Sequence, residues 1–258
     1  MIVVVSPAKK LDFENDEVKP NWSVPDYLDQ SETLIKTARK MTRNDIAGLM
    51  KVSEKIADLN YERYRDFETP FTLTNSKQAA FAFKGDTYVG LEAETLSEDD
   101  LEFAQNHFRI LSGLYGMLRP LDLMQPYRLE MGVRLKNPKG KNLYEFWGNT
   151  LTDGLNELLE KQKNKVIINC ASNEYFKSVN EKELNGGVIT PVFKIVKEGV
   201  AKGPGMMAKR ARGMMARFII QNKLEKAEEI KKFDMDGYKF MPALSNEDTF
   251  EYHKVVSV

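Results

Sequence analysis

The chain has 258 residues, 42% of them hydrophobic, and its 38 Lys and Arg balance 38 Asp and Glu to a formal net charge of zero. That length buries a substantial core in one large or two small domains, and zero net charge argues against a protein held on nucleic acid by bulk electrostatics alone. One cysteine, Cys170, and two histidines, His107 and His253, exclude an internal disulfide framework and leave no Cys/His set for zinc.

The many carboxylates leave an all-oxygen magnesium or manganese site open, but no spacing marks one, and neither a metal nor a cofactor is expected. The longest apolar runs, such as Ile2 to Val5 and Val166 to Ile168, have strand length, far below the roughly 20 residues of a membrane helix. Met1 leads straight into a strand-like run instead of a signal peptide. A soluble, cytoplasmic protein with no membrane partner is expected.

Ile2 to Val5 predicts a buried strand ending in Ser6-Pro7-Ala8-Lys9-Lys10, a strand-end loop of the kind that faces ligands. Asp26 to Lys40 predicts a helix with Leu28, Ser31, Leu34, Ile35 and Ala38 on one side. Thr42 caps a second helix, Asp45 to about Met50, and Ser53 starts a third reaching about Asn60; together they make a short helical hairpin. Ala79 to Phe83 and Thr87 to Val89 read as short strands around a Lys84-Gly85-Asp86 turn. Ser97 with Asp100 opens a helix in which Leu101, Ala104, Phe108 and Leu111 recur at helical spacing.

That helix leads into LSGLYGMLRPLDLMQPYRLEMG, residues 111–132, where Gly and Pro alternate with Arg119, Asp122, Tyr127, Arg128 and Glu130. Rigid backbone carrying anion-gripping groups reads either as the wall of a site or as a buried Arg–carboxylate knot. Asn142 to Lys161 predicts one amphipathic helix, and Lys165 to Cys170 a strand ending in Ala171-Ser172-Asn173-Glu174-Tyr175. Met207 to Leu224 predicts a helix with Met207, Ala211, Met214 and Phe218 in one stripe. Gly213 inside it costs about 1 kcal/mol relative to Ala, which implies close packing on a neighbour. Thr249 to Val255 alternates like a half-buried strand. Strands interleaved with helices and no compositional break predict a single α/β domain over residues 1–258.

Charge is segregated along the chain. Between Gly199 and Leu224 lie Lys202, Lys209, Arg210, Arg212, Arg217 and Lys223 with no acid, while Asp86 to Glu102 holds acids and no base. Folding can turn the basic block into a local positive field or pair the two blocks with each other.

In order, VVSPAKKLD, FKGDTYVGL, residues 111–132, NLYEFWG, ASNEYFKSV and KRARGMMARFI resemble the YaaA peroxide-stress-resistance family over nearly the whole chain. The resemblance implies a cytoplasmic bacterial protein that helps cells survive hydrogen peroxide by limiting iron-linked damage, and that binds double-stranded or branched DNA. It also implies a single α/β domain of unusual topology, with a helix-hairpin-helix-like element. It brings no established reaction.

Leu49 to Ala57 aligns with such a hairpin, Lys51 and Ser53 standing where its glycines usually do. Lys51, Ser53 and Lys55 are therefore candidate phosphate contacts, against the plainer reading of a helical hairpin with exposed lysines. Lys9, in the family's SPAK motif, can bind phosphate or, if buried, act as nucleophile or base. No glycine-rich phosphate loop accompanies it, and Lys10 reads as solvated. Lys84, Asp86, Arg119, Tyr127, Arg128 and Glu130 form a third set, completed by Asn173, Glu174 and Lys177 after a strand end. Lys209, Arg210 and Arg212 would extend a basic wall, or simply be a solvated helix face.

Two departures from the family stand out. Lys202-Gly203-Pro204-Gly205 interrupts a position usually held by an apolar strand, and Cys170 replaces a plain apolar residue. Cys170 reads as a small buried hydrophobe instead of a peroxide-reactive thiol. The functional expectation is non-specific DNA binding through the hairpin and a basic cleft. Its alternative is an enzyme acting on a small phosphorylated or carboxylated metabolite, a small anionic ligand for the same pocket.

Overall fold

Ile2–Val5 (β1) is a run of aliphatic side chains each exposed by 1% or less, buried on both faces as in the middle of a parallel sheet. The structure, a computed structural model, describes residues 1–14, 19–202 and 205–256. Along the chain follow Lys10–Leu11 (β2), Leu28–Ala38 (α1), Arg43–Met50 (α2), Glu54–Asp66 (α3), Lys77–Gln78 (β3), Ala79–Ala82 (α4), Phe83–Lys84 (β4) and Asp86–Leu91 (α5). Next come Glu98–His107 (α6), Phe108–Ser112 (β5), Gly116–Leu118 (β6), Leu123–Met124 (β7), Leu143–Trp147 (α7), Thr150–Glu160 (α8) and Val166–Cys170 (β8). Asn173–Phe176 (α9), Gly187–Lys197 (β9), Val200–Lys202 (β10), Met206–Gln221 (α10), Tyr238–Phe240 (β11) and Thr249–Val255 (β12) complete the order.

The main sheet runs β11-β12-β9-β8-β1-β5-β6, with β10 paired to β9. β12, β9, β8, β1 and β5 are parallel neighbours, while β6, β10 and β11 pair antiparallel at the margins. From β1 the chain passes to β5 on one side, and β8, β9 and β12 fill the other, so strand order reverses at β1. Ligands of open parallel sheets bind outside the carboxyl ends of the strands at such a reversal. Here those ends are the residues following Val5 and Cys170.

α10 packs on α5 through two glycines. A Cβ on Gly213 would stand 1.8 Å from the Thr87 carbonyl oxygen, and one on Gly90 2.1 Å from that of Arg210. The backbones touch, which is the close approach that Gly213 implies. The same packing joins part of the acidic and basic segments. Arg217 donates to the Leu91 and Glu92 carbonyls at 2.9 Å each, and Lys223 pairs with Asp100.

α2 and α3 follow the expected hairpin: Thr42 accepts from Asp45 N–H in a reciprocal capping box, and Lys51-Val52-Ser53 links the helices. α1 holds the far end of α3, where Arg39 Nε donates to the Tyr64 carbonyl at 2.7 Å.

Other segments depart from expectation for local reasons. Ala79 to Phe83 and Thr87 to Val89 are not two strands; they form α4, the short β4 and α5. Ala79–Ala82 are buried on every side, so their pattern carries no strand period, and the contact with α10 overrides the β-propensity of Thr87 and Val89. α6 stops at His107, and Phe108 and Leu111 belong to β5, whose five residues are all buried. Gly148, at φ +48°, breaks the helix expected over Asn142 to Lys161 into α7 and α8. β9 has no counterpart in the sequence reading, because Pro191 interrupts its apolar run. Gly203 and Pro204 of the Lys202–Gly205 interruption lie outside the described residues.

Candidate functional site

The loops after β1 and β8 meet at the strand reversal. Ser172 N–H donates to Ser6 Oγ at 2.8 Å, and Tyr88 of α5 donates its hydroxyl to the Ser6 carbonyl at 3.1 Å. Residues 127–132 close a further wall, where Gly132 N–H donates to Glu174 Oε1 at 3.0 Å. Between these loops opens a cleft of about 490 Å³.

Lys9, Lys10, Lys84, Arg128, Lys209 and Arg212 line the cleft, against Asp86, Glu130 and Glu174. Six bases facing three carboxylates give it a positive field although the whole chain is neutral. Glu130 is the hub: its Oε2 lies 2.6 Å from Lys9 Nζ, and its Oε1 3.2 Å from Arg128 Nη2. Lys84 pairs with Asp12 at 2.5 Å. The Lys9 side chain is 62% exposed. Among the described residues, Arg128 Nε is buried without a hydrogen-bond acceptor, an incompletely satisfied guanidinium at the edge of the cleft.

The floor is aromatic and buried. Tyr88, Tyr127 and Tyr175 line it, and burial pushes all three phenols well up, leaving them neutral hydrogen-bonding groups. Tyr127 and Ser112 share a 2.6 Å hydrogen bond between hydroxyls. Cys170 also borders the cleft, but it is 2% exposed and burial pushes its thiol up to about 12. That is the opposite of a reactive thiolate.

The segment over residues 111–132 divides between the lining of the cleft and an Arg–carboxylate pair. Tyr127 to Gly132 forms the wall, bringing Tyr127, Arg128 and Glu130 beside Lys9, Lys84, Asp86 and Glu174. Arg119 does not reach them. Its Nε donates to Asp122 Oδ1 at 2.9 Å and its Nη2 to the Val24 carbonyl at 2.6 Å, with Asp26 3.1 Å away. Burial pushes the Asp122 carboxyl up against the pull of Arg119, which is the Arg–carboxylate knot.

Asn173 and Lys177, at the two ends of α9, are exposed and do not line the cleft. Lys209 and Arg212 do line it, whereas Arg210 is exposed elsewhere on α10. Lys10 is the residue that the sequence reading set aside. Its place follows from the pairing of Lys10 with Lys84 across β2 and β4, a long-range contact with no local trace. Among the described residues, no group of three or more His, Cys, Asp or Glu could hold a metal ion.

The hairpin adjoins the same wall, since Tyr64 of α3 donates its hydroxyl to the Arg128 carbonyl at 2.5 Å. Lys51, Ser53 and Lys55 are exposed at its tip. Lys51 adopts φ 52°, ψ 52°, the left-handed conformation that glycine takes most readily, so the backbone there is glycine-like although the residue is not. Ser53 makes no side-chain cap, which leaves the first N–H groups of α3 without that acceptor.

Compared with known proteins, residues 1–244 match the family described as Peroxide stress protein YaaA. A UPF0246 protein of Aliivibrio fischeri (strain MJ11) is 54% identical over 254 residues, covering 98% of each chain. A UPF0246 protein of Shewanella pealeana (strain ATCC 700345 / ANG-SQ1) is 56% identical over 240 residues, covering 93% of each.

Proposed function

The chain belongs to the peroxide stress protein YaaA family, and on that premise we propose that it serves the peroxide response as a cytoplasmic DNA-binding protein that limits iron-linked oxidative damage. The observation that carries this reading is the excess of bases over carboxylates in a cleft whose wall also seats the hairpin. Phosphate oxygens are the ligands such a surface suits, and phosphate contacts position a protein on DNA without reading sequence.

In this reading Lys9, Arg128, Lys209 and Arg212 hold one stretch of backbone. Lys51, Lys55 and the open N–H groups at the start of α3 act as a helix-hairpin-helix-like contact on another. Among the described residues, no helix is long and apolar enough to cross a membrane.

Labelled duplex and four-way junction DNA, titrated at several salt concentrations, test the proposal. About six phosphate contacts lower affinity by roughly 10³-fold between 50 and 200 mM salt, and each lost contact reduces the salt slope by about one. The paired changes Lys51→Glu with Lys55→Glu, and Lys209→Ala with Arg212→Ala, should each weaken binding and flatten the slope. Binding indifferent to salt and to both pairs would remove the proposal.

One arrangement favours a second reading, an enzyme acting on a small phosphorylated or carboxylated metabolite. Glu130 sits between Lys9 and Arg128 over a buried tyrosine floor at the strand reversal, where a substrate anion could be held and a proton moved. A thermal-shift screen of metabolites decides it: a stabilising ligand lost in Lys9→Ala supports this use, and a blank screen counts against it.

A further inference from the structure

A second cavity, of about 950 Å³, is bounded by α8, the junction of α6 with β5 and the start of α1. It shares no lining residue with the basic cleft. Arg109 lines it and is only 4% exposed. The fold puts it there: β5 pairs Arg109 with Val4 of β1, so a guanidinium is carried into the middle of the sheet.

Arg109 Nη1 donates to the Gln105 carbonyl at 2.8 Å and the Phe108 carbonyl at 2.7 Å. Among the described residues, Nε and Nη2 donate to nothing, and no carboxylate pairs with this arginine. Asp122 and Asp26 are taken up by Arg119. The free nitrogens are not sealed off, because Arg128 Nε is the one buried guanidinium nitrogen without a partner among the described residues. The Nε–Nη2 edge of a guanidinium is the fork that matches a carboxylate. Burial pulls Arg109 down to about 10, against Asp122 and Asp26, which act on it from a distance without pairing with it.

On the opposite side α8 presents two carboxylates, while Lys161 and Lys163 line the cavity past its end, Lys163 paired with Glu225. Asp153 and Glu157 stand one turn apart on α8, line the cavity and have no cationic partner among the described residues. Tyr27 lies between the two charges. Its hydroxyl makes no hydrogen bond among the described residues and rests on α8 where Gly154 leaves room, since a Cβ there would be 2.1 Å away. Burial, together with Asp26, Glu157 and Asp153, pushes this phenol up to about 12, with Arg109 acting against them. It is therefore a neutral donor.

We propose that this cavity binds a small zwitterion, an amino carboxylate, with its carboxylate on the free edge of Arg109 and its ammonium between Asp153 and Glu157. Tyr27 donates to the carboxylate from the side. The two α8 carboxylates repel a polyanion, so the ligand class differs from that of the cleft.

The test follows the arginine Nε–Hε resonances of the whole chain by NMR during titration with glycine, 4-aminobutyrate and 6-aminohexanoate, with acetate, butylamine and inorganic phosphate as controls. At least one amino carboxylate should move the Arg109 cross-peak and bind about tenfold more tightly than acetate or butylamine. Arg109→Lys should weaken it about tenfold, because a point charge replaces the fork. Asp153→Asn with Glu157→Gln should do the same while leaving acetate unaffected. These two surface changes keep the test open if Arg109 variants fail to fold. An Arg109 cross-peak unmoved by all three amino carboxylates overturns the proposal, as does one that answers acetate or phosphate equally well.

Discussion

Replacing Gly213 with alanine isolates the contact that aims the basic helix. Alanine raises helix propensity by about 1 kcal/mol, so the change would stabilise α10 in isolation. In the folded chain the new Cβ would lie 1.8 Å from the Thr87 carbonyl oxygen, 2.7 Å from its carbon and 2.9 Å from Leu91 N. All three are backbone atoms of α5, and no rotamer change relieves them. Restoring van der Waals distance requires the helices to part by about 1.5 Å, which forfeits a large share of the dispersion between them. Overpacking of this kind costs about 1–3 kcal/mol or more.

With the propensity gain set against the upper part of that range, the net loss is about 2 kcal/mol. For a chain of this size that corresponds to a Tm lower by about 4–8 °C. The assay is thermal and urea denaturation followed by circular dichroism, with Gly48→Ala as the internal control. Gly48 lies in α2 with nothing within 4 Å of its added Cβ, so the same substitution there should stabilise by up to about 1 kcal/mol. On the proposed DNA-binding function, affinity for DNA should also fall in Gly213→Ala, because Lys209 and Arg212 ride on the displaced helix. A Gly213→Ala protein that melts at or above the parent temperature would refute the packing argument.

Two further outcomes are expected. Cys170 should stay unmodified by hydrogen peroxide or a disulfide reagent in the folded chain and react only after denaturation, since burial keeps it a thiol; a thiol titration with and without guanidinium checks this. Burial opposes ionisation of Glu251, but hydrogen bonds with Lys194 and His253 outweigh it and hold the carboxyl below its ordinary 4.5. Its stabilisation is therefore present above that ordinary value and lost as pH falls through the lowered folded one. Glu251→Gln should cost about 1–2 kcal/mol near neutrality, and the gap from the parent should close on acidification below 4.5. Urea denaturation across a pH series measures it, and a gap that stays constant into acid would contradict the assignment.

Features written within a few residues were legible. The capping boxes of Thr42 with Asp45 and Ser97 with Asp100 are local hydrogen-bond patterns, and both form. The wall residues Tyr127, Arg128 and Glu130 were also visible, because alternation with Pro and Gly keeps such side chains out of regular structure. Arg119 shows where that logic stops. It has the same local character as Arg128, yet Asp26 and Val24, remote in sequence, claim it for the knot. Arg109 was invisible for the converse reason: between Phe108 and Leu111 it reads as a polar position of the helix expected from Ser97, and only the pairing of β5 with β1 buries it.

What the amino-acid sequence determined by itself is therefore the ends of β1 and β8, the caps of α2 and α6, the α/β class and the family. Those depend on short-range periodicity, on turn chemistry and on long motifs in a constant order. Tertiary structure decided which charges share a space. It split the 111–132 segment into knot and wall, drew Lys10, Lys209 and Arg212 into one cleft, and left Arg109 unpaired across the sheet. Coulombic partnership depends on distance in space, and for these residues that distance is set by the pairing of β1 with β5 and β8 and by the seating of α10 on α5.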